Sequence, residues 1–159
     1  MQHNPAEDVI RQRMAPGALS RDGFLGKDNR DIDEIVDADV AHLQELGMSI
    51  EQLADILDRI HEVADEGLET EREMCGGKVR VRMEEGMGGI SCPFGCGYKG
   101  HKGIIHVILP DHEIRFTPLH PHMVRAHGFL EGRGSTFRLD PEVAAELYRL
   151  CGEDEKAAE

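Results

Sequence analysis

The chain is 159 residues long, carries a formal net charge of −13 and contains no Trp, two Tyr and five Phe. That length is one domain's worth and can bury a real core without staples, drawn from Ile, Leu, Val and Met more than from aromatics. The acid excess repels phosphate backbones at long range and counts against nucleic acid as the main partner.

The charge is unevenly spread. Residues 1–74 hold 19 Asp+Glu against 7 Lys+Arg, whereas residues 75–159 hold 12 against 11. Met1 to Arg13 lacks the apolar stretch of a signal peptide, and no run approaches membrane-spanning length. The longest apolar stretch, Gly103 to Leu109, is interrupted by His106. The expectation is a soluble cytoplasmic protein with no membrane contact. In a reducing compartment, four cysteines point to metal or free thiols before disulfides. Cys75 and Cys151 have no neighbour in sequence to pair with and read as buried small apolar residues.

Residues 1–28 read as an irregular arm, with a short helix over Ala6 to Met14 and with Phe24 and Leu25 docking on the body. Asp31 opens the first strong helix, and Glu34 three residues on completes a capping box. Its apolar stripe is Ile32, Ile35, Val36, Val40, Leu43 and Leu46, stopped by Gly47. Ser49 caps a second helix with Gln52 as its box partner. Its stripe runs through Ile50, Leu53, Ala54, Ile56, Leu57, Ile60, Val63 and Ala64 to Gly67.

This pair superficially resembles a helix-turn-helix, but the second helix presents Glu51, Asp55, Asp58, Glu62, Asp65 and Glu66 where a groove-reading helix needs donors and cations. The reading is an amphipathic helical hairpin with an acidic outer face, either solvated or a docking surface for a basic partner.

Past Glu71 the period changes to two. Lys78 to Glu84 alternates as a half-buried strand. Gly86, Gly88 and Gly89 read as a flexible connector, without the Lys and Ser/Thr of a phosphate-binding loop. Gly103 to Leu109 and Glu113 to Phe116 are two further strands turned at Pro110-Asp111-His112. Thr117-Pro118 starts a helix over 118–127 that stops at Gly128, and Asp140-Pro141 starts the last one, ending at Gly152.

The chemistry concentrates between Ser91 and Phe129. Cys92 and Cys96 sit on a glycine-rich turn whose amides can stabilise thiolates. His122 and His127 lie five positions apart on the following helix. In an ideal helix they diverge by about 140°, workable where the second lies in a last turn loosened by Gly128. Two thiolates and two imidazoles are a tetrahedral zinc set. His120, His101, His106 and His112 are alternates; His120 and His127 share a face but stand too far apart along the axis.

The order Cys, Cys, hairpin, helix bearing His, His resembles the two-cysteine, two-histidine zinc finger over residues 92–127. It departs in the 25 residues separating Cys96 from His122 and in having no tandem copy. The resemblance implies zinc bound by Cys92, Cys96, His122 and His127. The DNA-reading role does not carry over, because Pro118, Leu119, His120 and Pro121 occupy the base-contacting positions. The segment His122 to Pro141 also resembles part of a group of small bacterial proteins of unknown function, which implies no activity.

The expected architecture is α+β: an N-terminal antiparallel helical hairpin packed on a small ββα zinc-finger-like module with one additional strand and a C-terminal helix. The expected organisation is an arm over 1–28, an acidic helical hairpin over 29–70, a zinc-binding module over 75–152 and a disordered acidic tail over 153–159. With four protein ligands the shell is closed, so the zinc is structural and the partner is another protein.

One alternative is a zinc-dependent hydrolase or nuclease with an open metal position, using Glu113, Glu131 or His120 as base. A second is nucleic-acid binding through the C-terminal half, although its cations (Arg80, Arg82, Lys99, Lys102, Arg115, Arg125, Arg133, Arg138) are interleaved with acids. Thiol redox catalysis is disfavoured because Cys92 and Cys96 are not spaced C-x-x-C.

Overall fold

The computed structural model describes residues 5–152. In chain order these form α1 (Pro5–Met14), α2 (Ile32–Glu45), α3 (Ile50–Gly67), β1 (Arg72–Met74), β2 (Val79–Ser91), β3 (Lys99–Ile108), β4 (Glu113–Phe116), α4 (His120–His127) and α5 (Pro141–Leu147). A single π-helical turn over Tyr148–Gly152 continues α5. The architecture is α+β, with one antiparallel sheet in the order β1-β2-β3-β4. The acidic tail expected at 153–159 lies outside the described residues.

α3 follows its sequence closely. Ser49 Oγ accepts from the Gln52 N–H (3.1 Å) and Gln52 Oε1 accepts from the Ser49 N–H (2.9 Å), a complete capping box. Its apolar face buries Leu53, Leu57 and Ile60 completely, in one core with Val79, Val81, Val107 and Phe116 of the sheet. Each such side chain stabilises the fold by about 1.5–3 kcal/mol relative to exposure.

α2 departs from expectation at its start. Asp31 occupies the N-cap position but makes no capping hydrogen bond. The Ile32 N–H, at the first helical position, donates to the Glu7 carboxylate of α1, so a long-range partner serves this end of the helix. At the far end Leu46 is exposed rather than part of the stripe. α2 packs along α5, whereas α3 packs on α4 and β2, so the two helices find most of their support in different neighbours.

β2 is longer than predicted. It runs through the glycine segment expected to be a connector, pairing Gly89 with His101, Ile90 with Gly100 and Ser91 with Lys99 after a register shift between Glu85 and Gly89. The β3 ladder satisfies backbone groups that a glycine-rich segment could not organise alone. The two cysteines therefore lie in the β2–β3 connection, at the tip of a hairpin the sequence reading did not foresee, and β3 and β4 form the expected hairpin after them.

Cys75 and Cys151 are buried, as expected, but they are joined in a disulfide across 76 residues. The turn between β1 and β2 carries Cys75 up to the last helical turn, a meeting that neither cysteine's sequence neighbours reveal. The predicted helix at 6–14 is present as α1, and Phe24 and Leu25 are buried. These arm residues join Met14, Ile32, Ile35, Cys92, Leu119, Met123 and Phe129 in a second apolar cluster, and that cluster is the floor of the site described next.

Candidate metal centre

Two local structures meet here. In the β2–β3 connection the Cys92 N–H donates to Tyr98 O (2.9 Å) and the Gly95 N–H to Cys92 O (3.1 Å), closing a tight turn. Gly95 and Gly97 sit at φ 75° and 92°, where residues bearing a Cβ are disfavoured. The turn is tied to the N-terminal arm by Arg13, whose Nη1 donates to Pro93 O at 3.1 Å. Cys92 is buried and Cys96 exposed.

The second structure is α4. It begins later than predicted, at His120 with Leu119 as N-cap, and Pro121 lies in its first turn. Thr117 does not cap it: the Thr117 N–H donates to His120 Nδ1 (3.0 Å) and its hydroxyl lies 2.9 Å from the same nitrogen. The helix ends where predicted, with Gly128 at φ 64° donating to Val124 O. That left-handed cap lets His127 turn toward His122, and their rings meet edge-to-face with centroids 5.4 Å apart.

The structure brings Cys92, Cys96, His122 and His127 together, with one potential ligand atom of each within 4.8 Å of all the others. Cys96 Sγ lies 3.1 Å from His122 Nε2. In a tetrahedral zinc site, bond lengths near 2.0–2.3 Å imply ligand–ligand edges of roughly 3.3–3.8 Å. The four atoms are thus within about 1 Å of that geometry, a contraction that side-chain rotation can supply.

Two observations on this chain bear on the fit. His127 Nε2 is buried and has no hydrogen-bond partner among the described residues, an orphan that a metal would satisfy. Burial also holds both imidazoles below the usual histidine range, in the neutral, ligating form, with His122 adding to the effect on His127. Burial pushes the Cys92 thiol in the opposite direction, up to about 12. A cation is what would reverse that, because a coordinated thiol gives up its proton.

Two residues of the site escaped sequence reasoning. Phe94 stacks on His127 (centroids 4.1 Å, planes 9° apart) and Tyr98 stacks on His122 (3.9 Å, 7°). Both lie in the cysteine turn, so the loop that carries the sulfurs also fixes the orientation of the two rings. Their spacing to the cysteines was visible; their pairing with particular histidines required the fold.

The remaining histidines are engaged elsewhere or stand apart. Both nitrogens of His120 are bonded within its own pocket, to Thr117 on one side and to Phe137 O and Glu131 on the other. His106 Nδ1 lies 2.8 Å from Glu113 Oε1, and His112 Nε2 lies 3.3 Å from Glu146 Oε2. His101 is exposed on β3. The three groups considered as a catalytic base, Glu113, Glu131 and His120, are therefore already committed to partners. In the loop 128–135, Phe129, Leu130 and Glu131 are buried, while Arg133 and Gly134 are exposed.

The acidic face of α3 is partly covered from within. Arg125 of α4 reaches across to Glu51 (3.1 Å), Asp55 (2.8 Å) and Asp58 (2.7 Å), and its guanidinium is held above the ordinary arginine range by Asp55 and Asp58. This network links α4, which carries both histidines, to α3. Among the described residues no helix is long and apolar enough to cross a membrane.

The chain thus presents a group of two cysteines and two histidines that could hold a metal ion. Compared with protein-family models, with curated proteins and with solved structures, it matches none.

Proposed function

We propose that the protein is a structural zinc-binding module, with Cys92, Cys96, His122 and His127 as ligands and a partner protein as its target. The observation that carries this reading is the convergence of four soft or borderline ligand atoms within 4.8 Å from two separate elements. The chemistry selects the metal: two thiolates with two imidazoles suit zinc better than the hard cations that prefer carboxylates. A four-ligand protein shell leaves no position for substrate, so the ion's work is to fasten the β2–β3 turn to α4. The binding energy then becomes folding energy for that corner of the molecule. Tyr98, 42% exposed while stacked on His122, offers a partner an aromatic contact whose position depends on the metal.

The test is elemental analysis of purified protein alongside a Cys92→Ser variant. About one zinc per chain in the parent, lost in the variant, supports the reading. Metal-free parent protein that melts at the same temperature with and without added zinc would end it.

One observation keeps a catalytic reading in view. Cys96 is exposed, and cavities of about 210 Å³ lined by His122 and about 380 Å³ lined by Cys92 adjoin the cluster. If Cys96 were displaced, water could occupy the fourth position. A spectrum of cobalt-substituted protein distinguishes the two, since an S₂N₂ shell and an SN₂-water shell differ in their thiolate charge-transfer bands.

A further inference from the structure

A cavity of about 340 Å³ is walled by the arm around Phe24, by β2 and β3 around Ile90 and Ile104, and by Phe137. Glu131 lines it. This residue is 2% exposed and has φ 72°, the left-handed region that L residues other than Asn and Asp seldom adopt. Strain at a buried acidic residue facing a cavity is an observation that asks for a use.

The hydrogen bonds around Glu131 define its state. The Thr117 N–H can only donate, so His120 Nδ1, 3.0 Å away, must be the bare nitrogen of a neutral ring. The proton then sits on Nε2, which donates to Phe137 O (2.9 Å) and lies 3.1 Å from Glu131 Oε2. The Ser135 hydroxyl donates to Glu131 Oε1. Oε1 therefore accepts from a neutral hydroxyl, and Oε2 faces a neutral ring. Among the described residues no Lys or Arg side chain pairs with this carboxylate; Arg138 reaches only its backbone oxygen (2.6 Å) and spends its charge on Asp39.

A buried carboxylate held by neutral donors alone lacks the counter-charge that buried ions ordinarily have. It also keeps spare acceptor capacity, because fewer than half of its roughly four lone-pair sites are used. The rim does not reverse this balance: Asp22, Glu84 and Glu85 outnumber Arg21 and Lys102 around the same cavity. We infer that this cavity is a binding site for a small organic cation, an amine or amidine on an apolar body, with the cationic group on Glu131 and the body against Phe24, Ile104 and Phe137. The inference is independent of the metal centre, because it uses none of the four candidate ligands.

Titration calorimetry on the full-length protein with benzylamine, and with benzoate as an anion of similar size and shape, tests it. Benzylamine is expected to bind with a Kd at or below the millimolar range, and benzoate at least tenfold more weakly. Two variants act on different parts of the site. Glu131→Gln removes the charge while keeping an acceptor, and Ile104→Trp fills the cavity without touching Glu131. Each should weaken benzylamine at least tenfold. A fold control by circular dichroism accompanies both, and Ile104→Trp carries the test alone should Glu131→Gln fail to fold. Absence of benzylamine binding, benzoate binding equally well, or binding that survives Ile104→Trp would each overturn the assignment.

Discussion

Phe94, between the two cysteines, lies flat on the His127 ring at 4.1 Å. One short turn thus supplies a pair of sulfurs and also fixes the face of an imidazole 33 positions further on. Side chains that orient ligands govern metal affinity nearly as much as the ligands do. Phe94→Ala is expected to weaken zinc binding by about 10- to 100-fold while leaving the stoichiometry at one. Competition with a chromophoric chelator measures it. Tyr98→Ala should act in the same direction through His122, whereas Tyr98→Phe, which keeps the stacked ring, should be close to parent.

The disulfide between Cys75 and Cys151 closes a loop of 76 residues. On the chain-entropy account, a loop of that length stabilises the fold by roughly 4 kcal/mol, and a domain of this size loses about 2–4 °C in Tm per kcal/mol. The Cys75→Ala, Cys151→Ala double variant should therefore melt about 10 °C lower than the oxidised parent. Its metal content should be unchanged, because neither sulfur belongs to the candidate centre. Scanning calorimetry with zinc quantified in the same samples checks both halves of the expectation.

Asp28 supplies the pH dependence whose sign is clearest. Its carboxylate accepts from Arg30 Nη2 (2.6 Å) and Nε (2.8 Å) and from the Arg133 N–H (3.1 Å). These bonds, Arg30 first, outweigh burial and hold the group well below the usual carboxylate range. A folded-state value below the unfolded one gives stability that is fully present above the ordinary value of about 4 and lost as the pH falls below it. Asp28→Asn should thus be less stable than parent at pH 7, with the gap closing as the pH falls toward about 2. Urea melts across that range report it.

Arg125 faces Glu51, Asp55 and Asp58 in a network that remains largely open to solvent. Exposed pairs are worth about 0–1 kcal/mol each, so Arg125→Ala should cost only about 1 kcal/mol. Arg125→Glu should cost more at low ionic strength, by placing a fourth acid on the acidic face, and should recover part of that loss in ~0.5 M salt as screening shortens the range of the repulsion. Thermal melts at two salt concentrations test the sign.

Reading the sequence located elements whose causes are local. The Ser49 capping box, the stripe of α3, the stop at Gly128 and the start at Asp140-Pro141 each depend on residues within a turn or two of one another, and the structure keeps them all. The candidate ligands were legible for the same reason, because residue type and short spacing restrict what a metal will accept. Where sequence reasoning missed, another group intervened: the start of α2 is held by Glu7 of α1 and not by an Asp31 capping box, and the Thr117 amide and hydroxyl face His120 Nδ1. The glycine segment of β2 became a strand because β3 completed its backbone bonding.

What the sequence alone determined is therefore the helix ends with local causes and the group of two cysteines and two histidines, both consequences of short-range chemistry. Tertiary structure decided which rings the aromatics clamp, that Cys75 meets Cys151, and that Glu131 is buried without a counter-charge. Those facts depend on where the chain returns to itself, and no periodicity along the sequence encodes the return.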